Sequence, residues 1–211
     1  MNFVRVAEVF ESIQGESTFA GLPCLFIRLS ECNLRCSYCD TKSAYGKGRK
    51  TSVADLVRRS RASAAAIVEI TGGEPLLQEA FGALACDLRD RSGKRVLVET
   101  NGSMDISTIP SGVAAIVDVK GPGSGECGSF DPGNLARLRK YDEVKFVICD
   151  RKDYLWARRF TREHELPERC GAVLFSPASR KMSAGQLGRW IVQDGVPVRL
   201  QVQLQKMAGM K

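Results

Sequence analysis

The amino-acid sequence predicts an α/β fold: a partial barrel of six parallel strands, with shortened helical crossovers and an extra N-terminal strand. Short apolar runs rich in β-branched residues alternate with amphipathic stretches, which is the pattern of parallel β/α units. The link between residues 101 and 113 is too short for a full crossover helix. With 211 residues, the chain also falls short of the roughly 250 that an eight-stranded barrel typically needs.

The predicted elements follow one another with short connections. A half-buried strand is expected at residues 4–12, where apolar and polar residues alternate. Thr51 or Ser52 followed by Asp55, and Asp131 followed by Pro132, are typical of helix starts. The six barrel strands are expected at residues 24–29, 66–71, 95–100, 114–120, 143–149 and 172–176, with a further strand at 198–204. Helices are expected at residues 52–62, 76–91, 131–140, 153–163 and 183–193.

Length and composition fit one domain that spans residues 1–211. We divide it into an N-terminal strand and loop (1–23), a partial-barrel core (24–195) and a C-terminal strand and tail (196–211). The hydrophobic content of 44% and the charged content of 26% are ordinary for a globular protein. No apolar run reaches the roughly 18 residues of a membrane span, and the N-terminus lacks the pattern of a signal peptide. We therefore expect a cytoplasmic protein.

The eight cysteines and the positive charge have ordinary explanations. The chain is long enough to build a core without disulfides, and no secretion signal accompanies the cysteines. The formal net charge is +7, and basic runs at 47–50, 58–61 and 158–162 are more often solvated helix faces than nucleic-acid surfaces. We expect no nucleic-acid partner. A basic enzyme suits an anionic substrate or an acidic electron donor.

Three cysteines at spacing C-x3-C-x2-C follow the first predicted barrel strand. They are Cys32, Cys36 and Cys39. A structural zinc site takes four protein ligands, so three close thiolates suit a [4Fe–4S] cluster that leaves one iron open to an exogenous ligand. The alternative is a zinc knuckle that Cys24 or a more distant cysteine completes.

Polar groups also collect at the carboxyl ends of the predicted strands, where parallel β/α folds build their sites. They include the segments 71–75 (TGGEP), 99–102 (ETNG), 118–121 (DVKG) and 176–179 (SPAS). Gly72 and Gly73 can expose bare backbone to a ligand, because no Cβ intervenes. The alternatives are a simple strand-to-helix turn for the glycines and a solvated rim for the polar strand ends.

The cysteine motif, with an aromatic residue before its last cysteine, resembles the radical S-adenosylmethionine (radical SAM) superfamily. Four further segments are together similar to the family of 7-carboxy-7-deazaguanine synthases: 11–16 (ESIQGE), 39–41 (CDT), 71–75 (TGGEP) and 201–206 (QVQLQK). The resemblance implies a carbon–nitrogen lyase that converts 6-carboxy-5,6,7,8-tetrahydropterin to 7-carboxy-7-deazaguanine with loss of ammonia, on the way to queuosine, a modified tRNA base. It also implies a [4Fe–4S] cluster, S-adenosylmethionine and Mg²⁺ as cofactors, a reducing protein of flavodoxin or ferredoxin type, and a homodimer.

The same resemblance implies roles for individual residues. The cluster ligands are Cys32, Cys36 and Cys39, and Thr41 is the Mg²⁺ ligand. The ammonium of S-adenosylmethionine is expected to meet Glu74. The expected residues around S-adenosylmethionine are Tyr38, Cys39, Asp40, Gly73, Glu74, Asp118, Val119, Lys120, Ser176, Pro177, Ala178 and Ser179. The expected substrate residues are Ile13, Gln14, Gly15, Glu16, Arg28, Thr71, Gln205 and Lys211.

The chemistry of a buried arginine supports the role expected for Arg28. A substrate carboxylate would pair bidentately with Arg28, which is costly to bury alone. The alternative is that Glu8, Glu16 or Glu31 satisfies this arginine.

The chain departs from the family pattern in three places. A histidine is usual where this chain has Gln205, the tail 207–211 lacks the usual closing aromatic residue, and Ser-Pro-Lys is common where this chain has Asp-Val-Lys at 118–120.

Two other functions remain open at this point. One is a radical SAM activase that generates a glycyl radical on a partner enzyme. The other is a non-enzymatic zinc or RNA-binding module.

Overall fold

The strands of the computed structural model, which describes residues 2–179 and 181–211, join in one open, mostly parallel sheet. They are β1 (Phe3–Ile13), β2 (Pro23–Leu29), β3 (Arg49–Ser52), β4 (Ile67–Gly72), β5 (Arg95–Thr100), β6 (Ala114–Asp118), β7 (Glu143–Ile148), β8 (Ala172–Pro177) and β9 (Arg199–Leu200). The order across the sheet is β3-β1-β2-β4-β5-β6-β7-β8-β9. From β2 to β8 every neighbouring pair is parallel, while β1 is antiparallel to both β2 and β3. The predicted partial barrel with an extra N-terminal strand is confirmed, and its sheet does not close.

Helices cover the outer face of the sheet. They are α1 (Val53–Ala62), α2 (Phe81–Arg91), α3 (Asn134–Arg137), α4 (Arg151–Glu163), α5 (Leu166–Arg169) and α6 (Ala184–Asp194). The last helix, α7 (Leu204–Met207), lies instead against the loop after β1. Ser52 caps α1 by accepting a hydrogen bond from the backbone N–H of Asp55, as the sequence predicts. The link after β5 holds only a short 3₁₀ turn at Ile106–Thr108, so that crossover is shortened as expected. No helix in the described part of the chain has the length and apolar character to cross a bilayer.

Three predicted elements differ from the structure. The helix expected from residue 76 begins at Phe81, because the backbone is extended at Gln78 (ψ 122°) after a 3₁₀ turn at Pro75–Leu77; the Gln78 side chain bonds the backbone of Arg5 and Ser30. The helix expected at 131–140 shrinks to α3, behind Pro132 and Gly133. The strand expected at 198–204 shrinks to two residues, β9, and ends where α7 begins.

The two faces of the sheet carry different hydrophobic clusters. The outer face packs its alternate residues against the helices in one large core, for example Ile27, Ile70 and Val98. The inner face carries a small apolar plug, defined here as Cys24, Ile67, Leu97, Ala114 and Ile116. Residues two positions further along the same strands lie on that inner face, nearer the carboxyl ends. The plug therefore closes one end of the inner face and leaves the other end open.

Candidate active site

A cavity of about 230 Å³ opens at the carboxyl ends of the parallel strands, where the sequence predicts the site. Most of the predicted site residues line it. These are Gln14, Gly15, Glu16, Arg28, Cys32, Cys36, Tyr38, Cys39, Asp40, Thr41, Thr71, Gly73, Asp118, Lys120, Ser176, Pro177, Ala178, Ser179, Gln205 and Lys211. The structure thus brings together residues that are up to 197 positions apart in the sequence.

The loop that carries the three cysteines is held by the loop after β6. The backbone N–H of Ser37 donates to the carbonyl of Ser124 at 2.8 Å, and its hydroxyl donates to the carbonyl of Gly123 at 2.7 Å. The backbone N–H of Arg35 donates to the Glu126 carboxylate at 2.6 Å. Because these bonds fix the loop backbone at several points, the cysteine side chains are directed into the cavity before any ligand binds.

The donor set fits an iron–sulfur cluster better than a single ion. All three cysteines of the motif are free and partly exposed. A structural zinc site takes four protein ligands, whereas a cubane takes each of three thiolates on a different iron.

Three buried polar atoms on the cavity wall lack a hydrogen-bond partner among the described residues. They are the hydroxyl of Tyr38, Oδ1 of Asp118 and Oε1 of Gln205. A buried polar atom without a partner costs about 1–3 kcal/mol. Atoms of this kind on one cavity indicate that a polar ligand completes the site.

Gly73 lets the strand-to-helix turn approach the cysteine loop closely. A Cβ at this position would lie 1.9 Å from the carbonyl oxygen of Glu31, which any other side chain would displace. Glu31 itself has a φ of 74°, a left-handed conformation that is uncommon for residues other than glycine. The chain therefore accepts local strain directly before Cys32, as functional sites often do.

The expectation for Glu74 is corrected by the structure, because this side chain does not line the cavity. Its carboxylate is fully buried and points away, into the turn. It accepts hydrogen bonds from the Thr100 hydroxyl at 2.8 Å and from the backbone N–H groups of Asn101 at 2.7 Å and Leu76 at 3.0 Å. These bonds occupy both oxygens, so Glu74 shapes the turn and leaves the cavity wall to the backbone of Gly73.

Two more predicted side chains lie outside the cavity lining. Ile13 pairs with Pro23 at the end of β1, and Val119 is buried in the outer core. The period of two along a strand explains both positions, since each follows a residue that faces the other way. The backbone N–H of Val119 donates to the carbonyl of Lys145.

A buried lysine on β7 holds the acidic groups of the cavity together. Lys145 is 4% exposed and forms ion pairs with Glu16 at 3.1 Å, with Glu99, and with Asp118 at 3.4 Å. Burial lowers the pKa of Lys145, but the three carboxylates outweigh this and raise it well above its usual range. Burial likewise raises the pKa of Asp118, and the ammonium groups of Lys120 and Lys145 outweigh it, leaving that pKa lowered. Lys145 and Asp118 are therefore both charged at neutral pH.

Arg28 is partly satisfied by Glu8, one of the three glutamates that the sequence offers as its partner. Its Nε donates to Glu8 at 2.9 Å, so this arginine is already paired. The guanidinium lies 5.6 Å from the centre of the Phe10 ring and lines the cavity. Its two terminal nitrogens make no hydrogen bond within the described residues, which leaves donors for an anionic ligand.

The C-terminal segment closes the side of the cavity against the loop after β1. The amides of Gln201 and Gln203 both donate to Glu16 at 2.9 Å. Lys206 pairs with Asp40 at 2.7 Å, and the Lys211 side chain pairs with Glu8. Because Glu16 also forms an ion pair with Lys145 on β7, it connects the C-terminal segment to the sheet.

Gln205 lies so close to Gly15 that we expect Gly15→Ala to weaken substrate binding. A Cβ at Gly15 would lie 1.6 Å from Oε1 and 2.9 Å from the backbone nitrogen of Gln205, so that side chain must move. The expected result is a raised KM with kcat nearly unchanged, measured by steady-state kinetics. Gly82→Ala in α2 is the control, because nothing lies within 4 Å of its Cβ, and helical alanine is favoured over glycine. An unaltered KM in Gly15→Ala would reject the expected contact between Gln205 and the substrate.

Several cavity residues escape the sequence prediction. Among them are Phe10, Phe26, Glu69, Lys145 and Gln203. The available signal is a charged residue inside an otherwise apolar strand, as in 67–72 (IVEITG) and 143–148 (EVKFVI). Such a residue must find a partner or a ligand, although the sequence does not say which.

Sequence comparison finds relatives along nearly the whole chain. The family model of the Radical SAM superfamily matches residues 27–118. The chain is 43% identical to a 7-carboxy-7-deazaguanine synthase of Koribacter versatilis strain Ellin345, over 96% of each protein. It is 38% identical to a 7-carboxy-7-deazaguanine synthase of Chlorobaculum tepidum, over 96% of this chain and 93% of that protein.

Structure comparison finds a similar fold in solved proteins. QueE from Escherichia coli superposes with a TM-score of 0.76 at 21% identity, covering 96% of this chain and 94% of that one. Streptococcus suis SuiB, solved with bound S-adenosylmethionine, gives a TM-score of 0.56 at 14% identity, over 81% of this chain and 44% of that one. At these identities the likeness concerns the fold.

Proposed function

Since the chain belongs to the family of 7-carboxy-7-deazaguanine synthases within the radical SAM superfamily, we propose that it converts 6-carboxy-5,6,7,8-tetrahydropterin to 7-carboxy-7-deazaguanine with loss of ammonia. The reaction is that of a carbon–nitrogen lyase in queuosine biosynthesis. The observation that carries this proposal is that the three thiols and the residues proposed for cosubstrate and substrate line one cavity. Relatives of this family at 43% identity over 96% of the chain leave the glycyl-radical activase and the zinc or RNA-binding module without support.

The cysteines and the polar strand ends would hold the cofactors. Cys32, Cys36 and Cys39 would be the ligands of a [4Fe–4S] cluster. When bound, the cluster and S-adenosylmethionine supply the one-electron chemistry that removes a hydrogen atom from C6 of the substrate. The backbone of Gly73 and the side chain of Asp118 offer acceptors to the polar groups of S-adenosylmethionine. Tyr38, Asp40, Lys120 and the segment 176–179 complete the proposed pocket for it.

The remaining wall residues would bind and orient the pterin. The free guanidinium nitrogens of Arg28 suit the substrate carboxylate. Gln14, Thr71 and Gln205 offer amide and hydroxyl groups that match the donors and acceptors of the ring. Glu16 ties this wall to Lys145 and to the C-terminal segment, so substrate residues from both chain ends keep fixed positions. Lys211 lies 4.5 Å from the Phe10 ring centre and adds positive charge for an anionic substrate.

Anaerobic turnover tests the proposed function. The protein reconstituted with iron and sulfide is incubated with S-adenosylmethionine, a reductant and the pterin, and formation of the deazapurine chromophore is followed. We expect product in stoichiometric excess over enzyme. Reductive cleavage of S-adenosylmethionine without any deazapurine would reject this substrate and retain only the superfamily chemistry.

Thr41 is proposed as a Mg²⁺ ligand, because its hydroxyl faces the cavity beside Cys39 and Mg²⁺ takes oxygen ligands. We expect Thr41→Ala to need several times more Mg²⁺ for half-maximal activity. Thr41→Ser keeps the hydroxyl and is the matched control. Titration of activity with Mg²⁺ measures the difference, and equal Mg²⁺ requirements in all three proteins would reject this role.

Two partners are also proposed. A reducing protein of flavodoxin or ferredoxin type suits the net charge of +7 and the exposed basic side chains near the cysteine loop, such as Arg35, Lys42 and Lys181. A homodimer is supported by exposed apolar residues at the β9 end of the sheet, where Val192 is 81% and Leu200 is 42% exposed.

A further inference from the structure

One ionisable side chain on the cavity floor has no role in the function proposed above. Glu69 lies in the middle of β4, is 3% exposed and lines the cavity. On the same face of β4, Ile67 belongs to the apolar plug and Thr71 lies nearer the cavity mouth. Glu69 is the one ionisable residue of β4 and lies at the boundary between the plug and the cavity.

The groups that face Glu69 leave it without a counter-ion. Lys145 is already paired with Glu16 and Glu99, and Arg28 is paired with Glu8. No cationic group of the described residues lies within salt-bridge distance of Glu69, and its one side-chain hydrogen bond comes from Nε2 of Gln14. The charged and titratable groups around it are Glu99 on β5, Glu16 in the loop after β1, Lys145 on β7, and Arg28 and Cys24 on β2.

A buried carboxyl in such surroundings keeps its proton. Burial, followed by the negative charges of Glu99 and Glu16, raises the pKa of Glu69 well above its ordinary value. A protonated carboxyl has one O–H donor and also accepts. Since Oε2 accepts from Gln14, the O–H on Oε1 and the second lone pair of Oε2 remain for a ligand.

The surface beside Glu69 suits a flat ring. Phe26 is its register neighbour on β2 and stacks on Phe10, with ring centroids 5.0 Å apart and an interplanar angle of 12°. Both rings line the cavity. An aromatic surface with one donor–acceptor pair at its edge is the arrangement that binds a planar heterocycle and fixes its orientation.

We propose that Glu69 is a specificity-determining residue that pairs with the lactam edge of the substrate's pyrimidinone ring, donating its O–H to the ring carbonyl and accepting from the adjacent ring N–H. The inference rests on the proposed function, because it takes a pterin as the substrate. A lactam edge places an acceptor beside a donor, and a protonated carboxyl presents the complementary pair. A carboxylate would present two acceptors and would repel the ring carbonyl.

Two substitutions separate these states. Glu69→Gln keeps a neutral donor and acceptor, so the Kd of the pterin should stay within about threefold of wild type, whereas Glu69→Leu removes both groups and should raise it about 10- to 100-fold. Anaerobic calorimetry of the reconstituted protein without reductant measures the Kd, and kinetics measures KM. Glu143→Gln is the control: Glu143 is another buried carboxyl, bound to Thr18, and it should leave the Kd unchanged.

The pH dependence gives a readout that does not depend on activity. Because the pKa of Glu69 is raised in the folded state, folding takes up a proton at pH values between the unfolded and the folded pKa, and this carboxyl costs stability as pH rises above about 4.3. The Tm of Glu69→Gln should therefore gain on wild type as pH rises above about 4.3. The Kd of wild type should rise toward alkaline pH, and that of Glu69→Gln should change less.

The outcomes distinguish this inference from the proposed function. If wild type does not turn over the pterin, the proposed function fails. If wild type is active but Glu69→Gln weakens binding as much as Glu69→Leu, Glu69 binds as an anion and the inference is overturned. It is also overturned if Glu69→Leu leaves the Kd unchanged. In a double-mutant cycle with Gln14→Ala, the effect of Glu69→Leu should persist, whereas its disappearance would mean that Glu69 acts only through Gln14.

Discussion

Replacing Cys36 with alanine is expected to reduce the bound iron from about four atoms per chain to a small fraction and to abolish cleavage of S-adenosylmethionine. Cys36 lies in the middle of the motif and lines the cavity with Cys32 and Cys39. The two remaining thiolates cannot coordinate the three irons that the motif would otherwise bind. Burial also raises the pKa of the Cys36 thiol, so without iron this position does not favour a thiolate.

The matched control is Cys127→Ala. Cys127 is exposed in the neighbouring loop and does not line the cavity, so it should keep full iron content and activity. Iron analysis and the visible absorption of the reconstituted proteins measure the difference. If Cys36→Ala and Cys127→Ala bind equal iron, the three-cysteine ligand set is wrong.

Replacing Lys145 with methionine is expected to have the largest effect on stability. The substitution removes the cation that Glu16, Glu99 and Asp118 share. Asp118 keeps its ion pair with Lys120. Removing one partner of a buried ion pair costs about 3–5 kcal/mol. Because Glu99 keeps a 30% exposed side chain, we take the lower end, which lowers Tm by roughly 6–12 °C in a chain of this length.

Calorimetry against pH checks the origin of this loss. The raised pKa of Lys145 means that its contribution is full below its ordinary value of about 10.4 and is lost only above it. The lowered pKa of Asp118 means that the contribution of this carboxylate to stability is lost only as pH falls below about 3.8. The Tm difference from wild type should therefore be constant between about pH 5 and about pH 9 and shrink below about pH 4. Lys140→Met removes an exposed lysine as control, and a loss of equal size there would contradict the network.

Much of the fold follows from local sequence patterns, because each strand of a parallel sheet is a short apolar run. The cap at Ser52 and the short link after β5 are local for the same reason. The edge strand β3 escapes prediction, since Arg49–Ser52 has no apolar pattern and exists through pairing with β1. The shortening of β9 is also non-local: Gln201 and Gln203 turn toward Glu16, about 185 residues earlier in the chain.

The candidate site divides in the same way. The cysteines and Gly73 can be recognised because the chemistry requires those residue types at a fixed spacing. The partners of Lys145 cannot, because they come from β5, β6 and the loop after β1 and meet only in the folded sheet. Glu74 shows the opposite case: the sequence expects its side chain in the cavity, but the carboxylate bonds the turn and faces away from the cavity.

The most direct test of the account asks whether one cavity holds cosubstrate and substrate in contact. The reconstituted protein is given S-adenosylmethionine and the pterin carrying deuterium at C6, and the recovered 5′-deoxyadenosine and S-adenosylmethionine are examined by mass spectrometry. Deuterium in either compound, together with the deazapurine, is the predicted result. Formation of 5′-deoxyadenosine that contains no deuterium, while labelled pterin is consumed, would contradict it.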